Sequence, residues 1–167
     1  MKNIFFITIL FTLLIFAGCS TTKETITKQG PNGFNWQFEK GKSLYQEMIV
    51  ISEPGKNRHT FGNMIKGFVG YMTPADYEKC QKEYIQKNRC PASFYNKNAK
   101  FVLIMSDNNN HDAPLQGLKS GDKLTISGQE LKLNGIFGQD GQKAKTTGTD
   151  KFNFVYANQI KINNNMF

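Results

Sequence analysis

The sequence predicts a single domain that is mainly β, with one short α-helix. The chain has 167 residues, which is enough for one hydrophobic core and too few for two domains of ordinary size. Aromatic residues make up 13% of it and charged residues 20%, a balance that excludes disorder for most of its length. Short segments rich in β-branched and aromatic residues alternate with turn residues, which indicates a β-rich fold. We expect this domain to cover residues 34–167, as a small barrel or as a sandwich.

An apolar segment at the N-terminus predicts export. Lys2 precedes an apolar stretch from Ile4 to Phe16, and the small residues Ala17 and Gly18 follow it. These are the parts of a secretory signal peptide, and the stretch is shorter than the roughly 20 residues that a membrane-spanning helix needs. We therefore expect residues 1–18 to be a signal peptide that is cleaved.

The residues Phe16-Ala17-Gly18-Cys19 resemble the lipobox of bacterial lipoproteins. The resemblance implies that signal peptidase II cleaves before Cys19, that this cysteine carries lipid, and that the lipid anchors the protein in a bacterial envelope. Several acyl chains bind a membrane far more tightly than one chain does. Ser20 is not the Asp that retains lipoproteins at the inner membrane of enteric bacteria, so the outer membrane, facing the periplasm, is the expected location. The alternative is an ordinary cysteine beyond a conventional cleavage site.

Residues 19–33 are predicted to form a flexible, lipidated tether. Thr, Lys and Gln dominate this segment, and Ile26 is its only aliphatic residue, which is the composition of a solvated linker. Three aromatic residues then alternate with polar ones, with the period of two that predicts a short strand or an arm packed on the domain. They are Phe34, Trp36 and Phe38.

Six segments of the body have the composition of strands. They are Glu47 to Ser52, Met64 to Met72, Lys100 to Met105, Lys123 to Ser127, Glu130 to Phe137 and Phe152 to Ile162. Gly67 and Gly70 in the second segment predict a bulge or a sharp bend. The third segment is rich in β-forming residues and is expected to be central in the sheet. Composition predicts loops at 107–112, 117–122, 138–141 and 148–150.

One helix is predicted over about residues 74–88. Thr73 can cap its N-terminus, Pro74 suits the first helical position, and Asp76 places a carboxylate in the first turn. The charged residues on its far face have the pattern of an ordinary solvated surface.

Cys80 and Cys90 are the two cysteines that remain if Cys19 carries lipid. An even pair in an exported chain predicts a disulfide. The closed loop would hold about ten residues, so the chain-entropy model gives a stabilisation of about 2.5 to 3 kcal/mol. The spacing is not the Cys-x-x-Cys of a redox site or a zinc knuckle, so no catalytic thiol is expected.

Two segments near the C-terminus resemble the last two strands of small exported OB-fold domains. The first is Leu118-Lys-Ser-Gly-Asp-Lys-Leu-Thr-Ile-Ser-Gly128, and the second is Phe154-Val-Tyr-Ala-Asn-Gln-Ile-Lys-Ile162. The resemblance covers about residues 64–162 and implies a partly closed barrel. In it, Ile65 to Gly70 would be a bent first strand and Phe101 to Met105 a central one. A β-sandwich with the same strands would also satisfy these patterns.

Histidine occurs twice, and neither position predicts a site. His111 lies among Asn and Asp residues in a stretch that fits neither a calcium loop nor a zinc motif, so we expect a polar surface turn. His59 lies in a solvated loop by composition. No nucleophile-elbow, zinc-protease or P-loop motif occurs. The sequence therefore predicts no catalytic residue, no metal site and no cofactor, and it disfavours an enzyme without excluding one.

The net charge is +8, and it is +7 without residues 1–18, because that segment carries only one charged residue, Lys2. An envelope protein with this excess favours anionic partners, such as lipid headgroups or cell-wall polymers. An OB-type domain with interleaved aromatic residues would also suit single-stranded nucleic acid. The envelope location argues against that last partner.

These observations predict a lipid-anchored envelope protein that acts as a non-catalytic binding or adaptor module in an envelope assembly, with a protein partner. The alternatives are an enzyme that acts on envelope material and an OB-type binder of an anionic polymer or single-stranded nucleic acid. Aromatic residues are enriched at interfaces, and nearby lysines would suit an anionic partner. The candidate contacts are the exposed members of the set Phe34, Trp36, Tyr71 and Tyr95.

Overall fold

The computed structural model describes residues 23–52, 62–84, 90–145 and 152–167. Within these ranges the strands are β1 (Thr25–Gln29), β2 (Asn35–Ser52), β3 (Gly67–Met72), β4 (Lys100–Met105), β5 (Lys123–Phe137), β6 (Asn153–Ile162) and β7 (Asn165–Met166). The α-helices are α1 (Pro74–Glu83), α2 (Ala92–Asn98) and α3 (Asp112–Gln116). The prediction of a mainly β domain is confirmed, although the described part holds three short helices where one was expected.

The strands pair in a closed circuit. β2 pairs with β3, β3 with β4, β4 with β6, β6 with β5, and β5 pairs back with β2. The β4–β6 pairing is parallel, and the other pairings of the circuit are antiparallel. This is the pairing that closure into a barrel requires. β1 and β7 lie outside the circuit, where β1 extends the sheet beside β2 and β7 pairs with β6.

Alternation along β4 divides the apolar residues into two clusters. Val102 and Ile104 point into the circuit, where they pack in one cluster with residues from each of its other four strands. Leu103 and Met105 point the opposite way and contact Phe38 and other residues of a second cluster. That second cluster is covered by β1 and by the paired segments 35–40 and 131–137 of β2 and β5. Full burial of a side chain such as Phe38 contributes about 1.5 to 3 kcal/mol to the free energy of unfolding.

One end of the circuit is closed by α3. Leu115 of this helix is fully buried in the interior cluster. It lies beside Gly67, the first residue of β3, and Ile104, near the end of β4. The opposite end is the one where β3 ends and β4 and β6 begin.

Several predicted boundaries are corrected by the structure. The aromatic arm at 34–38 and the predicted strand at 47–52 are parts of one strand of 18 residues, β2. The predicted strands 123–127 and 130–137 are likewise one strand, β5. Both strands change register partway, β2 against β5 between Lys40 and Ser43 and β5 against β6 between Ser127 and Gly128. Such irregularities bend a strand without ending it, so the breaks in the sequence pattern mark bends.

The predicted flexible tether at 19–33 is wrong for residues 25–29, because they form β1. Their polar composition hid a short strand whose Ile26 packs against the second cluster. Ser20 and Cys19, like the signal peptide, lie outside the described residues. None of the described helices is long and apolar enough to cross a membrane.

The predicted N-cap of α1 is confirmed, since the Thr73 hydroxyl accepts a hydrogen bond from the backbone N–H of Asp76 at 3.1 Å. α1 ends at Glu83, short of the expected residue 88, and residues 85–89 lie outside the described part. α2 follows between Pro91 and Ala99. α3 begins at Asp112, the last residue of the loop predicted at 107–112, which also contains a short 3₁₀ turn.

Cys80 and Cys90 lie at disulfide distance, with their Cα atoms 5.9 Å apart. Both side chains are buried, and they join α1 to the start of α2. We expect the protein purified from the envelope to have a mass 2 Da below that of the dithiol form, the two hydrogens lost on oxidation. Mass spectrometry with and without reductant measures this difference, and two thiols that can be alkylated without reductant would contradict it.

Candidate functional site

A cleft of about 420 Å³ opens at the end of the circuit opposite α3. Its polar lining comes from five strands, and apolar residues of β2, β5 and β6 complete it. Its volume lies within the range of small-ligand pockets, roughly 300 to 1,000 Å³. The polar residues are Gln46, Tyr71, Lys100, Glu130 and Asn153. We call this feature the open-end cleft.

Two polar side chains are fixed inside the open-end cleft. The Gln46 Nε2 donates a hydrogen bond of 2.7 Å to the Tyr71 hydroxyl. Burial raises the pKa of that hydroxyl above its ordinary value, because the phenolate would lose its hydration. At the rim, Lys100 is exposed and makes no ion pair with any described residue. The cleft therefore presents a neutral phenol inside and a free ammonium group at its edge.

An aromatic surface adjoins the cleft and consists of Phe68, Phe101 and Phe152, which we call the aromatic face. The Phe68 and Phe101 rings are nearly parallel, with centroids 5.5 Å apart, and Phe152 stands edge-on to Phe68 at 6.1 Å. Phe101 is 45% exposed. Phe152 also lines the open-end cleft, so cleft and face form one continuous surface.

The pleat of β3 and β4 produces this face. Val102 and Ile104 point into the circuit, so Phe101 points outward, and Phe68 does so for the same reason next to Val69. Opposite Phe101 in the register lies Gly70. A Cβ atom at Gly70 would lie 3.2 Å from the Phe101 ring and 2.4 Å from the Ser52 Oγ, so the absence of a side chain at this position leaves room for the ring.

The predicted contacts were the exposed members of a set of four aromatic residues, and the structure buries two of the four. Trp36 is only 7% exposed and packs in the second cluster, and Tyr71 is only 3% exposed and packs inside the circuit. Phe34 is half-buried against the second cluster, and Tyr95 is half-buried on α2. These four residues do not form one surface. Of the four, only Tyr71 lines the open-end cleft.

His111 is also corrected, because it is fully buried and not part of a surface turn. The Ser106 Oγ lies 2.8 Å from its Nδ1, and the Phe167 backbone oxygen lies 3.1 Å from its Nε2. The Asn108 Nδ2 also lies 3.2 Å from that Nε2, so both ring nitrogens have polar partners. A Ser–His pair can act as nucleophile and base, but burial of both side chains closes this one to a substrate. The network instead joins the end of β4 to the C-terminal residues. His59 lies outside the described residues.

A separate polar cluster joins β1 to the body of the domain, and we call it the β1 latch. Lys28 of β1 forms an ion pair with Asp107, and the Tyr156 hydroxyl donates to the same carboxylate. The Lys28 and Lys40 ammonium groups lie 5.8 and 5.7 Å from the centroid of the Tyr156 ring. The hydrogen bond from Lys28, and then that from Tyr156, lower the Asp107 pKa. The hydrogen bond to Asp107, with some burial, raises the Tyr156 pKa to about 12.

Among the described residues, no group of three or more His, Cys, Asp and Glu side chains could hold a metal ion. Comparison of the chain with protein-family models, with curated proteins and with solved structures gives no match.

Proposed function

We propose that this chain is a lipid-anchored, non-catalytic binding module of a bacterial cell envelope that acts as an adaptor for a protein partner. The aromatic face beside the open-end cleft is the feature that most strongly supports a binding role. The exposed Phe101 ring lies nearly parallel to the half-buried Phe68 ring, next to a polar cleft with a free lysine. Together they offer apolar area, hydrogen-bonding groups and charge to one partner. The anchor rests on the lipobox at Cys19.

The strand pairing supports an OB-type interpretation as part of this proposal. A closed circuit of five strands with one end covered by a helix agrees with such a barrel, and OB folds bind ligands on the face of their second and third strands. β3 and β4 are the second and third strands of the circuit in chain order. They carry Phe68 and Phe101, so the aromatic face would coincide with the ligand-binding face of such a barrel.

Binding is preferred over catalysis because the described polar residues provide no accessible pair of nucleophile and base. His111, the best candidate for a base in this part of the chain, is buried and bonded on both ring nitrogens. The open-end cleft has a lysine and a carboxylate in its lining, Lys100 and Glu130, but no nucleophile paired with a base.

The test is site-specific photocrosslinking in living cells. A photoreactive phenylalanine analogue replaces Phe101, and the same analogue replaces Tyr45 as a matched control. Tyr45 is 70% exposed on β2 and pairs with Ser127 of β5, away from the aromatic face. We expect a discrete protein adduct from position 101 and at most a tenth as much from position 45, because a hot spot is confined to a small central patch. Equal labelling at both positions, or no adduct at either, would contradict the proposal.

A polymer is the second candidate partner, and the stacked rings favour it specifically. Flat aromatic rings bind nucleobases by stacking, and the free Lys100 suits an anionic backbone. Digestion of the position-101 adduct with nuclease, glycosidase or protease separates the two cases. A band that collapses only with protease identifies the protein partner of the main proposal.

A further inference from the structure

β1 is held to the domain on one edge and one face. It pairs with β2 over five residues, from Thr25 opposite Glu39 to Gln29 opposite Asn35. Ile26 packs on the second cluster, and Lys28 points the same way to form the β1 latch. The other edge of β1 has no partner strand in the described part of the chain. An inward-pointing charge is a device that discourages pairing with foreign strands, so this edge is unsuited to strand addition.

The docking of β1 limits how far the domain can lie from a lipid on Cys19. Five residues, 20–24, separate Cys19 from Thr25, and five residues span at most about 17 Å. If β1 were undocked, fifteen residues, 20–34, would precede β2, and they could span about 50 Å. The docked strand therefore removes two thirds of the reach that the predicted tether would have had.

The docked position of β1 also determines which part of the domain lies nearest to the lipid on Cys19. At the start of β1, Thr25 aligns with Glu39 of β2, which aligns with Lys132 of β5. Lys23 forms an ion pair with Glu39, and the nearby charge of Lys132 also helps to lower the pKa of that carboxyl. Lys42 and Lys132 are exposed and make no ion pair within the described residues. Exposed lysines close to a bilayer are attracted to anionic headgroups.

We infer that β1 is a docked strap that holds the sheet end bearing Lys23, Lys42 and Lys132 against the membrane in which Cys19 is anchored. This inference rests on the proposed lipid anchor. The strap keeps the domain close to the bilayer, and release of β1 would extend its reach.

The test uses the full-length lipidated protein in vesicles that contain anionic phospholipid. Trypsin cleavage after Lys28 reports undocking of β1, and neutron reflectometry on a supported bilayer of the same composition reports the height of the domain. Asp107→Asn removes the ion pair, and Ile26→Asp places a charge in the second cluster. Glu78→Gln is the control, since it breaks the exposed pair with Lys82 on α1, far from β1 along the chain.

In the wild type and in Glu78→Gln, cleavage after Lys28 should be much slower than cleavage after the exposed Lys145. Asp107→Asn should accelerate cleavage after Lys28 about fivefold. Ile26→Asp should accelerate this cleavage further. It should also raise the domain above the bilayer by roughly 10 Å, which is the difference in mean length between coils of five and fifteen residues. Wild-type cleavage at Lys28 as fast as at Lys145 would overturn the strap, as would an unchanged height in Ile26→Asp once Lys28 is exposed. If the protein never associates with the bilayer, the anchor fails instead, and the protection of Lys28 in solution still reports on docking.

Discussion

Cys19→Ser should move the protein from the membrane fraction to the soluble fraction of the envelope. Serine cannot form the thioether that carries the lipid, so incorporation of a clickable fatty acid should fall to background. The bound fraction should drop by more than about tenfold, because each buried CH₂ contributes about 0.8 kcal/mol to membrane binding and whole acyl chains are lost. Fatty-acid labelling and fractionation of the same cells measure both effects.

The control for this variant is Ser20→Ala, which leaves the cysteine and the three residues before it unchanged. It should be labelled and fractionate as the wild type does. Unchanged labelling of Cys19→Ser would show that the lipid, if any, is attached elsewhere, and the anchor proposal would then have to be abandoned. A soluble protein with wild-type Cys19 would contradict the proposal equally.

The parts of the fold that sequence could predict are those with strong local signals. β4 was predicted with its observed bounds, Lys100–Met105, because an unbroken run of β-forming residues strongly favours a strand. The start of α1 was predicted because a capping hydroxyl, a proline and a first-turn carboxylate coincide at Thr73 to Asp76. Both signals act within a few residues, so tertiary structure does not have to be known.

The parts that were missed depend on contacts between distant residues. β1 has a polar sequence and is a strand only because β2 offers it an edge and the second cluster accepts Ile26. β2 and β5 looked like pairs of shorter strands because their irregularities interrupt the alternation. In each case, tertiary packing overrides the local strand propensity of the sequence.

Which of the candidate contact residues are exposed could not be predicted from the sequence, for a related physical reason. Trp36 and Tyr71 were selected as large aromatic residues near lysines, but large apolar side chains are also the most effective core residues, and both are buried. Alternation along β4 does not identify Phe101 either, because Leu103 and Met105 lie on its face of the strand and are fully buried. His111 was misjudged because an Asn-rich stretch resembles a solvated loop, and its role depends on Phe167, 56 residues away.

Gly128→Ala should destabilise the domain strongly, and far more than Gly117→Ala. A Cβ atom at Gly128 would lie 1.9 Å from the Tyr156 carbonyl oxygen, 2.9 Å from its carbonyl carbon and 3.1 Å from the Ala157 Cα. All three atoms belong to the backbone of β6, so no side chain can move aside. Gly128 also pairs with Leu44 of β2, so β5 cannot shift away from β6 without disturbing its other neighbour.

We expect the free energy of unfolding to fall by about 3 kcal/mol or more, which is at or above the upper end of the losses measured for overpacked sites. This loss is a large share of the roughly 5 to 15 kcal/mol by which a domain is typically stable. Urea denaturation followed by circular dichroism measures it. Gly117→Ala is the matched control, because a Cβ there would meet no atom closer than 3.4 Å and the backbone φ is −83°, an angle that alanine adopts freely. Equal denaturation midpoints for the two variants would show that β5 and β6 do not approach each other closely at Gly128, and the closed circuit, which depends on β5 pairing with both β2 and β6, would lose its central contact.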